Sequence, residues 1–169
     1  MKIVMTALAA LLLLNCNDKS APTEPITGFD LEKYLGKWYE IARLDHRFER
    51  NMQNVNAEYS LRDDGKVKVI NRGFKNDKWK KAVGNAKFAQ DENTGFLKVS
   101  FFGPFYGSYI IYELADDYSY AFVSGDNKNY LWLLSRTKTV SDELMDPTLY
   151  RLRVPCCGLG YSLSVNNYA

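Results

Sequence analysis

From residue 36 onward, hydrophobic and polar residues alternate in short runs that are separated by turn residues. Residues 55–61 (VNAEYSL) place Val, Ala, Tyr and Leu on one face, with the period of two that a half-buried strand requires. The Asp64-Gly65 pair that follows supplies the positive φ of a tight hairpin turn. No helix-length amphipathic segment occurs before Arg136. The pattern therefore predicts an all-β domain.

Eight such runs occur in succession, each joined to the next by a turn, which is typical of an eight-stranded antiparallel up-and-down barrel. A barrel of about eight strands encloses room for side chains or for one small ligand. The predicted strands span residues 38–44, 55–61, 67–73, 79–89, 96–102, 109–114, 118–124 and 130–135.

The first residues predict a targeting segment. Lys2 precedes an uncharged apolar run that ends before Asn15, as in a secretory signal peptide. Cys16 directly after it resembles the processing site of bacterial lipoproteins, which implies a lipid anchor on its thiol. Asn15 departs from that site, where Gly, Ala or Ser is usual, so an ordinary signal peptide with an incidental cysteine remains the alternative. Asn17, rather than an Asp, directs such a lipoprotein to the outer membrane by the sorting rule of enteric bacteria.

These features divide the chain into four parts. Residues 1–15 are the signal peptide, and the polar, proline-bearing residues 16–27 are the lipid-anchored flexible tether. Residues 28–146 are the barrel and the start of a C-terminal helix, and residues 147–169 are a divergent tail. In that tail Pro147, Pro155 and two glycines interrupt the helix that Ser141 would cap.

Composition narrows the function classes. With 169 residues and 46% hydrophobic content, the chain suits one domain with a sizeable core. A formal net charge of +2 gives no electrostatic footprint for nucleic acid. The only histidine, His46, lies in the charged segment DHRFER and is predicted to be a solvated loop residue. Since no Cys-x-x-Cys occurs and Cys156 and Cys157 are adjacent, neither a metal, nor a cofactor, nor a disulfide is expected.

Three blocks carry a resemblance to a known family. They are GKWYEIARLDHRFERNMQNVNAEYSLRDDGKVKVINRGF, LKVSFFGPFYGSYIIYELADDYSYAFV and LWLLSRT, and in this order they resemble the bacterial lipocalins, the outer-membrane lipoprotein branch. Asp116 replaces the Thr of that family's Thr-Asp-Tyr motif. The resemblance implies that Gly36 and Trp38 begin the first strand at the barrel floor, where Arg136 caps the indole in a cation–π stack.

The tail departs from the family, whose last strand is followed by a helix of several turns packed outside the barrel. The expected helix is short or absent here, either through divergence or through a shifted reading frame. An uncovered apolar patch outside the barrel would lower stability or promote association.

Placing Arg136 inward, as the resemblance implies, assigns alternate residues of each strand to a ligand-binding interior. Tyr118, placed inward, brings Tyr120 and Phe122 with it. The alternative is that the same residues fill a solid core. The predicted lining is Ala57, Tyr59, Val67, Val69, Phe88, Val99, Phe101, Tyr109, Ile111, Phe122, Trp132 and Leu134.

The resemblance implies that such a barrel binds, stores or transports a fatty acid or lysophospholipid at the outer membrane and supports envelope maintenance. An apolar, aromatic lining suits an acyl chain, since each buried CH₂ contributes about 0.8 kcal/mol. His46, Arg47 and Arg50 either contact the head group at the open end or form a solvated loop. A homodimer is one alternative, and an adhesion or signalling module that never uses the interior is another. The rival is an enzyme in which Glu40, a lone inward carboxylate, acts as a base.

Overall fold

Eight antiparallel strands close into a barrel in sequence order, as the alternation predicts. The computed structural model describes residues 24–47, 49–127, 130–146, 163–166 and 168. Each strand pairs with the next, and β1 pairs with both β2 and β8, which closes the sheet. The strands are β1 (Gly36–Leu44), β2 (Gln53–Leu61), β3 (Val67–Lys75), β4 (Lys78–Phe88), β5 (Phe96–Phe102), β6 (Phe105–Leu114), β7 (Tyr120–Ser124) and β8 (Leu131–Ser135).

One end of the barrel, the floor, is sealed by the segment before β1. The helix α1 (Leu31–Tyr34) makes one turn, and Asp30 caps it by accepting a 3.0 Å hydrogen bond from the Glu32 amide. Phe29 and Tyr34 are buried in the barrel interior from this end. The opposite end, the mouth, is formed by loops that include residues 45–47, 49–52, 76–77, 103–104 and 125–127.

Two separate hydrophobic clusters lie on the two faces of the barrel wall. The interior cluster takes buried side chains from every strand and from α1. The outer cluster contains Ile41, Phe122, Leu131 and Leu133 from β1, β7 and β8. Alternating side chains point to opposite faces of a strand, so the wall between the clusters is one sheet thick.

The C-terminal residues cover the outer cluster. Helix α2 (Asp142–Met145) is a single turn, which confirms the short helix expected from the sequence. Ser141 stands at its N-cap position, although its side chain makes no capping hydrogen bond there. Leu144, Met145 and Tyr168 pack against the outer cluster, so the patch that the sequence left uncovered is partly covered.

A ninth strand, absent from the predicted set, lies beyond α2. The strand β9 (Leu163–Val165) pairs antiparallel with residues 42–44 of β1, on the edge that β2 leaves free near the mouth. The predicted signal peptide, Cys16, and residues 147–162 of the tail lie outside the described residues. No helix among the described residues is long and apolar enough to span a membrane.

Candidate ligand-binding site

The floor of the barrel is an arginine stacked on a buried tryptophan. The guanidinium carbon of Arg136 lies 3.9 Å from the ring centroid of Trp38, which is fully buried. Arg136 also donates hydrogen bonds to the carbonyls of Lys33 (2.6 Å), Leu35 (2.9 Å) and Tyr118 (3.3 Å). One side chain therefore ties the N-terminal segment and the β6–β7 turn to the end of β8. This is the arrangement that the sequence resemblance implies for Gly36, Trp38 and Arg136.

Three tyrosine hydroxyls lie inside the barrel and form a chain. The Tyr109 hydroxyl lies 2.7 Å from that of Tyr34 and 2.9 Å from that of Tyr59. Burial raises the pKa of all three phenols above its ordinary value, so they are neutral hydrogen-bond donors. Two hydrogen bonds use two of the three protons, because each hydroxyl has one to donate. The third proton is available for a polar atom of a ligand.

Towards the mouth, the interior holds a buried ion pair. A β-bulge between Glu40 and Ala42 brings both Glu40 and Arg43 to the inner face, and their side chains form a salt bridge. The Asn166 amide donates a 2.8 Å hydrogen bond to the Glu40 carboxylate. Burial, and then the charge of Glu49, raise the pKa of Glu40, whereas Arg43 and Asn166 favour its charged form. Glu40 faces inward as expected, but it is not a lone carboxylate.

The first long loop folds back over the mouth and is fastened by Glu49. The Glu49 carboxylate accepts a 3.0 Å hydrogen bond from the Trp132 indole and lies 3.1 Å from His46 Nε2. Arg43 donates to the Glu49 carbonyl at 2.7 Å. Burial is the largest influence on the pKa of Glu49 and by itself would raise it. The contact with His46, the hydrogen bond from Trp132 and the charge of Arg43 together lower that pKa.

His46 is not the solvated loop residue that the charged segment predicted. Its side chain is buried at 6% exposure, with ring centroids 5.3 Å from Tyr130 and 5.2 Å from Trp132. A chain reversal in the loop brings it under the mouth, which local composition does not encode. Of the two loop arginines, Arg50 is paired with Asp45 at 2.8 Å, and Arg47 is exposed.

Between the tyrosines and the ion pair, the lining is apolar and aromatic. Phe101 packs into the space left by Gly84, where a Cβ would come within 2.8 Å of the ring and 2.5 Å of the Ser100 carbonyl. The interior cluster includes eleven of the twelve residues expected to line the site, namely Ala57, Tyr59, Val67, Val69, Phe88, Val99, Phe101, Tyr109, Ile111, Trp132 and Leu134.

The twelfth, Phe122, faces outward, and its assignment to the lining is corrected. It packs in the outer cluster with Leu131 and Leu133, whereas its neighbours Ala121 and Val123 belong to the interior cluster. The inward assignment assumed that the strand alternates from Tyr118. That residue lies in a turn with φ of 59°, and β7 begins two residues later. The turn therefore shifts the alternation of inward and outward side chains along β7 by one residue.

Four residues of this site were not expected from the sequence: Arg43, Glu49, Asn166 and Tyr168. The Tyr168 hydroxyl lies within hydrogen-bond distance of two carbonyls, those of Glu40 and Val55, in the gap between β1 and β2, and its one proton is shared between them. A bulge, a folded-back loop and a distant strand bring them together, and none of these has a periodic signal. Among the described residues, no group of three or more His, Cys, Asp or Glu side chains is placed to hold a metal ion.

An eight-stranded barrel with an apolar interior and a floor sealed by an arginine–tryptophan stack defines a lipocalin-type binding protein. The comparisons agree, since the model of the family described as "Lipocalin-like domain" matches residues 29–161. The "Outer membrane lipoprotein Blc" of Vibrio cholerae is 52% identical over 149 residues, 86% of this chain and 87% of that protein. The protein of the same name from Escherichia coli K12 is 48% identical over 154 residues, 87% and 85% of the two chains.

Among solved structures, insecticyanin from the tobacco hornworm Manduca sexta superposes with a TM-score of 0.69 at 22% identity and covers 87% of this chain and 85% of its own. This likeness supports the fold. The chain belongs to the lipocalin family, in its bacterial outer-membrane lipoprotein branch. It is thus a lipid-anchored protein of the outer membrane and a binding protein for a lipophilic ligand.

Proposed function

We propose that this lipocalin binds, stores or transports a fatty acid or lysophospholipid at the outer membrane, and that it supports envelope maintenance as a carrier. The observation that carries the proposal is the interior cluster of apolar and aromatic side chains, to which all eight barrel strands contribute. An acyl chain gains about 0.8 kcal/mol for each CH₂ that it buries there. We further propose that Cys16 carries the lipid anchor.

The polar groups of the interior support a ligand with one polar end. At the mouth, Arg47 is exposed and takes part in no ion pair among the described residues. Arg50 is exposed too but is paired with Asp45, and His46 is buried. We therefore assign the contact with a phosphate or carboxylate head group to Arg47. The free proton of the tyrosine chain offers a second, neutral donor deeper in the barrel.

The buried acid also supports a carrier over an enzyme. A general base needs a carboxylate that is free to accept a proton from the ligand. Glu40 is held by Arg43 and Asn166, and the Tyr168 hydroxyl bonds to its backbone carbonyl. The carboxylate is therefore paired with a cation, and its Oε1 atom accepts from both Arg43 and Asn166. Recovery of the bound lipid after incubation checks this, since a chemically altered lipid would favour the enzyme.

Native mass spectrometry of the chain from Asn17, with palmitate and with a lysophospholipid, tests the binding. Both core clusters consist of residues from Ile26 onward, so this chain keeps the described core. We expect a one-to-one lipid adduct for the wild type. A folded protein that stays free of both lipids would contradict the proposal and would indicate a filled barrel.

A pair of neighbouring variants locates the site. Phe101 packs against the interior cluster, whereas Phe102, the next residue, is 70% exposed on the outside. F101D should abolish the adduct because it places a charge in the apolar lining, and F102D should keep it. V69F, which adds volume without charge, should weaken binding. Equal binding by F101D and F102D, both folded by circular dichroism, would refute the assignment of the lining.

A further inference from the structure

One side of the mouth carries a group of exposed aromatic and aliphatic side chains. Phe105 is 79% exposed, Phe102 is 70% exposed and Trp79 is 60% exposed, and Val83 and Tyr106 are also exposed. Phe102 pairs with Phe105 across the β5–β6 hairpin. We define these five residues as the rim patch.

The strand register makes the rim patch one surface. Asn85 of β4 pairs with Ser100 of β5, so Val83 and Phe102 lie level, two residues nearer the mouth. Trp79 is on the same outward face of β4 as Val83, because their spacing is even. Leu61 and Val165, the other exposed large hydrophobic residues among those described, belong to β2 and β9.

Positive charge accompanies the patch. The segment 75–81 (KNDKWKK) contains four lysines and one aspartate around Trp79. Lys78, Lys80 and Lys81 are exposed, and none of them takes part in an ion pair among the described residues. The ammonium group of Lys87 lies 4.8 Å from the centroid of the Tyr106 ring.

We propose that the rim patch docks the barrel on a phospholipid bilayer that contains anionic lipid, with the mouth beside the membrane surface. Aromatic side chains favour the membrane interface, where their rings reach the acyl boundary. Lysines near an anionic surface are attracted to its lipid head groups. A lipid could then pass between bilayer and barrel without crossing open water.

The charge favours a bilayer over a second copy of this chain. A symmetric dimer through the rim patch would use the same surface of both copies. It would bring Lys81, which shares the outward face of β4 with Trp79, towards Lys81 of the other copy, and like charges in an interface are unfavourable. Anionic lipid head groups neutralise the same lysines.

The length of the tether also allows this orientation. Glu24, the first described residue, follows Cys16 by eight positions in the sequence, and eight residue steps reach at most about 28 Å. A strand of nine residues, such as β1, is about 30 Å long and spans less along the axis of a barrel whose strands are tilted. An anchor at Cys16 can therefore reach the membrane while the mouth faces it.

Vesicle flotation tests the proposal with the chain from Asn17, which lacks the candidate anchor. Vesicles of phosphatidylethanolamine with phosphatidylglycerol should bind the wild type, and phosphatidylcholine vesicles should bind it less. F102S/F105S should lower the partition coefficient about tenfold or more, through lost apolar burial. K78E/K81E should lower it by a similar factor and remove its dependence on salt.

Matched controls lie away from the patch. L61S removes an exposed leucine from the end of β2, and K66E/K138E reverses two exposed lysines at the floor end of the barrel. Both variants should bind vesicles as the wild type does. Lipids brominated on their acyl chains should quench the tryptophan fluorescence of the wild type more than that of W79F, because only the wild type places Trp79 at the acyl boundary.

Three results would overturn the proposal: no vesicle binding by the wild type, equal binding by wild type and patch variants, or a homodimer that F102S/F105S dissociates. Palmitate binding is measured in parallel, and the patch variants should retain it. A wild type that floats with the vesicles but does not bind palmitate would contradict the proposed carrier function without contradicting the docking surface.

Discussion

Arg136 should contribute more to the stability of this barrel than any exposed arginine, because its guanidinium joins three separate segments at the floor. The stack on Trp38 is worth about 0.5–2 kcal/mol, and a hydrogen bond from a charged donor about 1.5–3 kcal/mol. Arg136 makes that stack and donates to the carbonyls of Lys33, Leu35 and Tyr118. These terms are not additive, so we expect R136A to lower the free energy of unfolding by about 3–4 kcal/mol.

Urea denaturation followed by tryptophan fluorescence measures this loss. R136K keeps the charge but not the planar fork, so about half of the loss, roughly 2 kcal/mol, should remain. Arg62 is the control, because its side chain is exposed and, among the described residues, contacts Asn85 and Asp64 at the surface. R62A should cost less than about 1 kcal/mol. A stability of R136K equal to that of the wild type would refute the argument, since charge alone would then explain the floor.

Three further predictions concern the interior. E40Q should destabilise the protein by about 3 kcal/mol because it leaves Arg43 buried without its partner, whereas E40L/R43L should cost less in the same urea assay. Because the pKa of Glu49 is lowered in the folded state, its carboxylate stabilises the protein above the ordinary glutamate pKa, and this contribution is lost as pH falls through the folded value; E49Q should flatten the acid side of the stability–pH curve. G84A should lower stability by about 1–3 kcal/mol and weaken palmitate binding, because its Cβ would collide with the Phe101 ring and the Ser100 carbonyl.

Each of these three predictions would be contradicted by a specific result. If E40L/R43L were less stable than E40Q, the ion pair itself would be the stabilising element. An unchanged pH profile in E49Q would mean that the loop bonds to Trp132 and His46 do not form in solution. G103A is the control for G84A, since a Cβ at Gly103 would meet nothing within 4 Å; equal effects of the two would exclude a steric cause.

Local sequence patterns predicted the strands well, because the alternation along a strand and the chemistry of a turn depend on adjacent residues. Alternation places β5 at residues 96–102, where the structure has it, and Asp64-Gly65 predicts the turn at Gly65, whose φ is 76°. The prediction begins β6 at Tyr109, whereas the strand starts at Phe105, since Phe105 and Tyr106 are exposed and break the pattern. The contact between Trp38 and Arg136 at the barrel floor was expected from the family resemblance. The two residues are far apart in sequence, so no local pattern predicts that contact.

Phe122 and His46 show where local reasoning ends. The face of Phe122 depends on the left-handed turn at Tyr118, and that φ value is not visible in an alternating run. The burial of His46 depends on Glu49 and Trp132, which contact it only after the loop has folded back. The charged residues around His46 in the sequence indicated a solvent-exposed loop. In the folded protein, the contacts with Glu49 and Trp132 allow the His46 side chain to be buried.

By itself, the sequence determined the all-β class, the number and order of the barrel strands, and the inward set of most lining residues. It did so because the period of a strand and the chemistry of a turn are set by adjacent residues. Only the tertiary structure decided which charges share the interior, how β9 joins β1, and which aromatic residues remain exposed at the mouth. These features depend on a bulge, a folded loop and strand register, which bring together residues that are distant along the chain.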